Sequence, residues 1–102
     1  MTRLDLVKSY TVALRRHTLA PSQGLALILM GGREFVTRAE FHTSSGLSTT
    51  RARRVLDSLV SCGLASREKG PRPTVTAHIP YYYRLTTQGA DIARELLAIQ
   101  HP

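Results

Sequence analysis

The chain has 102 residues, enough for one hydrophobic core and too few for two, and its 42% apolar and 21% charged content is that of a soluble globular domain. Fourteen Lys and Arg against seven Asp and Glu leave a net charge of +7; twelve of the fourteen are Arg, the side chain suited to bidentate contacts, so a polyanionic partner is expected. A single cysteine excludes an internal disulfide and a cysteine-based metal cluster and fits a reducing cytosol, no apolar run approaches membrane-spanning length, and no secretory leader is expected.

Thr2 to Arg16 reads as an amphipathic helix, with Leu6, Val7, Tyr10, Ala13 and Leu14 repeating at helical spacing. Thr2 is a candidate cap, and Asp5 and Arg15-Arg16 complement the two ends of the helix dipole. After Pro21, Ser22 is placed to cap a second helix. Its segment Leu25 to Met30 is apolar on all sides and is expected to be the central core helix. Gly31-Gly32 ends it, without the spacing of a phosphate loop, and Glu34-Phe35-Val36 is expected to form a short strand.

Thr37 to Gly63 reads as two helices joined by a tight turn. Thr37 and Glu40 have the spacing of a capping box, and Val36 and Phe41 that of a hydrophobic staple. Ser44-Ser45-Gly46 breaks the helix, Gly supplying the positive φ of a sharp reversal, and Ser48 is the cap of the next one. In that helix Ala52, Val55, Leu56, Leu59 and Val60 share one face, and Gly63 stops it. Thr50, Arg54, Asp57 and Ser61 point the other way, Arg51 and Ser58 lie on a flank, and Arg53 sits near the boundary. No acid precedes Asp57 on this helix. Arg forks and hydroxyls near a helix N-terminus are what major-groove readout requires, since Arg matches guanine O6 and N7 and hydroxyls reach bases or phosphates. An ordinary solvated helix face has the same composition, so this helix alone leaves the two readings about level.

Leu64 to Glu68 and Tyr81 to Leu85 are expected to pair as a hairpin with a long basic tip that includes Lys69 and Arg72; Thr74 to Ile79 is also β-capable. Alternation places Tyr81, Tyr83 and Leu85 on one face and Tyr82 and Arg84 on the other, which favours core packing with one surface ring over a base-stacking platform. Thr86 or Thr87 caps a last helix, Gln88 to Ile99. Its apolar stripe of Ala90, Ile92, Ala93, Leu96, Leu97 and Ile99 suggests a second copy as partner, unless the first helix covers it.

The four histidines, His17, His42, His78 and His101, are scattered and lack zinc spacing, so no metal or other cofactor is expected. Cys62, at a helix C-terminus where the dipole disfavours a thiolate, is expected to be a buried or half-buried structural thiol. The acids form no paired constellation, and the chain is not expected to be an enzyme.

The order helix, core helix, short strand, helix, turn, helix, hairpin, helix resembles a winged helix-turn-helix domain, mainly α with a small β-hairpin wing. The specific parts are Ser44-Ser45-Gly46-Leu47-Ser48, then Leu59, Gly63 and Leu64, and finally Tyr83-Arg84-Leu85-Thr86-Thr87-Gln88-Gly89. The last run is similar to the wing-to-helix junction of MarR-like and PadR-like transcriptional regulators. The resemblance implies one domain over residues 1–102: an N-terminal helix (1–17), helix-turn-helix (37–63), wing (64–85) and C-terminal helix (86–100). It implies a cytoplasmic, nucleoid-associated dimeric repressor that binds double-stranded DNA at pseudo-palindromic operators and pairs through its N- and C-terminal helices. Ser48, Thr49, Thr50, Arg51, Arg53 and Arg54 would face DNA, Arg67, Lys69 and Arg72 would form the wing contact, and Arg38 would hold the backbone. The chain ends soon after its final helix, so a second long C-terminal dimer helix and a separate effector domain are not expected. A plasmid partition or replication-type module would use the same residues on arrayed sites, and a protein-interaction winged helix would use none of them on DNA.

Overall fold

The computed structural model describes residues 2–70 and 81–100. Along the chain run α1 (Arg3–Arg16), α2 (Pro21–Met30), β1 (Val36–Thr37), α3 (Arg38–Ser45), α4 (Thr49–Ser61), β2 (Ala65–Lys69), β3 (Tyr81–Leu85) and α5 (Thr87–Gln100). The architecture is a winged helix-turn-helix, mainly α. Its sheet is antiparallel with β3 in the centre: Val36 and Thr37 of β1 pair with Tyr83 and Tyr82, and β2 pairs from Ala65 opposite Leu85 to Lys69 opposite Tyr81. The segment ahead of α3 and the wing therefore belong to one sheet. Among the described residues, no helix is long and apolar enough to cross a membrane.

Local chemistry sets the helix starts. Thr2 Oγ1 accepts the Asp5 N–H at 3.2 Å while the Asp5 carboxylate accepts the Thr2 N–H at 3.3 Å, a reciprocal box. Ser48 Oγ accepts the Arg51 N–H at 3.2 Å, and Gly46, at φ 74°, makes the left-handed turn between α3 and α4. Thr86 Oγ1 accepts the Gly89 N–H at 3.2 Å and donates to the Gly63 carbonyl at 2.8 Å, so the cap of α5 also ties it to the end of α4. The core collects Leu27, Phe41, Leu56, Leu59, Tyr83 and Leu96 from α2, α3, α4, β3 and α5. Each large apolar side chain buried there contributes about 1.5–3 kcal/mol.

Several local expectations are corrected. The cap of α2 is Ala20 rather than Ser22: Pro21 occupies the first helical position, where its missing N–H costs nothing, and Gln23 Oε1 accepts the Ala20 N–H at 2.9 Å. The short strand is Val36–Thr37 instead of 34–36, because Val36 is the residue that faces inward beside Tyr83; Phe35 stays exposed, edge-on to Tyr82 with ring centroids 4.7 Å apart. Thr37 Oγ1 accepts the Glu40 N–H at 3.1 Å but donates its own proton to the Glu40 carboxylate at 3.1 Å, so the other half of the expected box, Thr37 N–H to that carboxylate, is unmade. Val7 is 60% exposed, since α1 turns Ala13 and Leu14 to the core and leaves Leu4, Val7 and Val12 outside. The stripe of α5 is largely covered within the chain, with Ile92, Ala93 and Leu96 buried and α1 and α2 packed on the helix. Cys62 is exposed, because it lies beyond Leu59, the last buried residue of α4. The β-capable run 74–79 lies outside the described residues.

Candidate nucleic-acid interface

The first two turns of α4 follow from its period. Ala52, Val55 and Leu56 go inward against α2 and α3, which leaves Ser48, Thr49, Thr50, Arg51, Arg53 and Arg54 exposed. All six carry donors that reach phosphates or base edges. Among the described residues, none of the three arginines is paired with an acid, although Arg16, Arg33, Arg38, Arg67 and Arg94 all are. Guanidiniums without a protein partner on a helix start are available to an external anion. The turn that presents them is braced: Ser45 Oγ accepts the Leu47 N–H at 3.1 Å, and His42 Nδ1 donates to the Leu47 carbonyl at 2.6 Å.

Asp57, expected to face solvent opposite the core, is turned to the wing instead. Its Oδ1 accepts the Tyr83 hydroxyl at 2.7 Å and Arg67 Nη1 at 3.3 Å, with Arg38 Nη2 at 3.6 Å. Arg38 Nε donates to the Tyr83 hydroxyl oxygen at 2.9 Å. The strand register explains the meeting: Val36 and Arg67 are the direct neighbours of Tyr83, so both share its inward face, and Arg38 follows Val36 by two residues. Tyr81, on the same face, lies under both guanidiniums, whose central carbons stand 4.9 Å (Arg38) and 4.8 Å (Arg67) from its ring centroid. Burial first, then the hydrogen bond to Asp57, pushes the Tyr83 phenol above its ordinary value, with Arg38 opposing. Hydrogen bonding to Tyr83 holds the Arg67 guanidinium above its own, aided by the Asp57 charge.

Arg38, Arg67 and Lys69 thus stand along the edge where α3 and the wing adjoin α4, the first two held by one carboxylate and Lys69 exposed at the end of β2. Arg72, the remaining wing residue, lies outside the described residues, as do His78 and His101. His17 sits away from this face, its Nε2 2.7 Å from Glu95, which also pairs with Arg16. Asp57, Tyr81 and Tyr83 are the members of the site that the sequence reading did not assign; the signal was an acid alone on a helix face otherwise rich in arginines and hydroxyls.

No family model and no curated protein matches the chain. Among solved structures, it has the winged-helix fold of MarR-type regulators. It is similar to apo MarR from E. coli, with a TM-score of 0.73 and 20% identity over 94% of this chain and 68% of that one. It is similar also to the S. aureus MepR–DNA complex (TM-score 0.80, 15% identity, 94% and 76% covered) and to the adhesin competence repressor AdcR of Streptococcus pyogenes (0.68, 22%, 94% and 68%). The chain spans about two thirds to three quarters of the length of these proteins.

Proposed function

We propose that this chain is a sequence-specific double-stranded DNA-binding transcriptional regulator, a dimeric repressor that reads an inverted repeat. In this reading α4 enters the major groove: Arg51 and Arg54 fork onto guanine edges, Ser48, Thr49 and Thr50 contact bases or the nearest phosphates, and Arg53 holds the backbone from the flank. Arg38, Arg67 and Lys69 hold flanking phosphates, a role Arg72 shares on sequence grounds. The observation that carries the reading is the start of α4, where three unpaired arginines and three hydroxyls stand exposed on a helix with no acid before Asp57. The same fold bound to DNA in MepR supports it.

The dimer is supported by α1. Leu4, Val7 and Val12 are each about 60% exposed, and Arg3, Leu6, Val7 and Tyr10 line with Ile99 of α5 an open recess of about 330 Å³. An apolar helix face of this kind beside the last helix suits a second copy across a two-fold axis.

The test is selection of bound duplexes from a random pool at near-physiological salt, with the mass of the complex measured alongside. The expected product is an inverted repeat with half-sites about one helical turn apart, held by two chains. Cooperatively filled direct repeats would move the protein to partition or origin binding. Absence of any enriched sequence would refute the regulator.

A further inference from the structure

We propose that Asp57 is a positioning residue for DNA recognition, its carboxylate locking the wing and the start of α3 onto α4 so that helix and wing meet a duplex at one fixed angle. The premise is geometric, and the consequence rests on the DNA-binding reading above. One oxygen, Asp57 Oδ1, gathers the Tyr83 hydroxyl of β3 at 2.7 Å, Arg67 of β2 at 3.3 Å and Arg38 of α3 at 3.6 Å. Every element of the DNA-facing edge therefore ends on a single side chain of α4. Among the described residues, no other acid bridges these elements. The covalent link from α4 to β2 is the short run Cys62–Leu64, which leaves the inclination of the wing to side-chain contacts.

The charge balance of the cluster argues against a purely internal role. Two guanidiniums share one carboxylate, so the group keeps one positive charge, and the side chains of Arg38, Arg67 and Asp57 are 33%, 40% and 37% exposed. A cluster built only for stability would be expected to neutralise itself and to lie deeper. Here the carboxylate holds two arginines in place while their outer faces remain open to a phosphate. Tyr83 completes the device: its ring is fully buried and rigid, and its hydroxyl transmits Arg38 to Asp57.

The test compares Asp57→Asn, nearly isosteric but uncharged, and Tyr83→Phe, which keeps the buried ring, on a selected site and on random duplex. The readout is the ratio of the two affinities. Loss of folded protein lowers both affinities alike and leaves the ratio unchanged; removal of an acid near DNA raises both alike. Positioning predicts a different pattern. The ratio falls about tenfold in each variant, the scale of one charge-assisted hydrogen bond. Random-duplex affinity should rise in Asp57→Asn and stay constant in Tyr83→Phe. An unchanged ratio in both variants overturns the proposal. The premise is also read without DNA, from urea unfolding of the two variants and the double variant: non-additive losses are expected, and additive ones overturn the network. If the unsubstituted chain prefers no sequence, the regulator reading fails, and the unfolding cycle decides on the clamp separately.

Discussion

Gly89→Ala probes how α5 is seated. On an exposed helix this change stabilises, because Gly is about 1 kcal/mol worse than Ala as a helix former. At this position the surroundings reverse the sign. Gly89 is buried in the first turn of α5, and a Cβ there would fall on the carbonyl oxygen of Leu64 and within 3.3 Å of its Cα. The obstructing atoms are backbone, and that carbonyl already accepts the Thr86 N–H at 3.0 Å, while the Thr86 hydroxyl holds the neighbouring Gly63 carbonyl at 2.8 Å. Relief requires moving the start of α5, at the expense of two hydrogen bonds of about 1 kcal/mol each and an overpacking penalty of about 1–3 kcal/mol. Less the propensity gain, the net loss is about 2–4 kcal/mol, or roughly 10–30 °C in Tm for a domain of this size. Thermal and urea unfolding followed by circular dichroism measures it, with the urea midpoint falling and the slope unchanged. A variant as stable as the parent, or more so, would refute the close approach of α5 to Leu64.

On a selected site, Arg54→Ala and Arg51→Ala are each expected to weaken binding by about 1–3 kcal/mol more than on random duplex, measured by titration at fixed salt; equal losses would reassign the residue to phosphate. Lys69→Ala, and Arg72→Ala on sequence grounds, should reduce the slope of log affinity against log salt by about 0.9 each, and an unchanged slope removes that residue from the interface. Val7→Asp places a charge on the outer face of α1 and is expected to convert a dimer to monomer in light scattering; a dimer that survives it pairs elsewhere. Tyr83 gives a pH signature. Its folded value is raised above 10.0, so the stability its neutral phenol contributes is complete below about pH 10 and is lost as pH rises through the raised value. Tyr10, also raised by burial, adds a second such loss, so Tyr83→Phe should soften the alkaline fall in Tm without abolishing it, and parallel curves would contradict the shift.

What the sequence made legible was local. Ser48 and Gly46 each act within a few residues of themselves, and each does in the structure what its chemistry implied; of the two threonines offered as the cap of α5, Thr86 takes the place and also reaches the distant Gly63. Alternation set the faces of the last wing strand, with Tyr83 buried and Arg84 exposed, while the wing pairs one residue later than expected, from Ala65 opposite Leu85 to Lys69 opposite Tyr81. Failures came where two local signals competed or where a distant element decided. Ser22 and Pro21 both favour a helix start, and Pro21 with Gln23 prevailed. Val7 belongs by period to the inward stripe of α1, but period states only that a face is apolar, not which neighbour arrives to cover it. The stripe of α5 is the converse case, read as surplus and in fact met by α1 and α2.

The candidate site divides along the same line. The exposed start of α4 is a property of one helix and its capping residue, so it was readable in advance. The role of Asp57 is not, because its partners stand 26 residues away at Tyr83 and 10 at Arg67, and Arg38 reaches Tyr83 across 45. Only the register of β1 and β2 around β3 brings them together. With that register in hand, the acid acquires a different meaning. A count of charges along α4 treats Asp57 as weakening a basic face. Turned toward the wing and outnumbered there by Arg38 and Arg67, it leaves the first two turns of α4 without a nearby anion. A helix that must attract DNA at its start and hold a wing at its middle is served by an acid at that position.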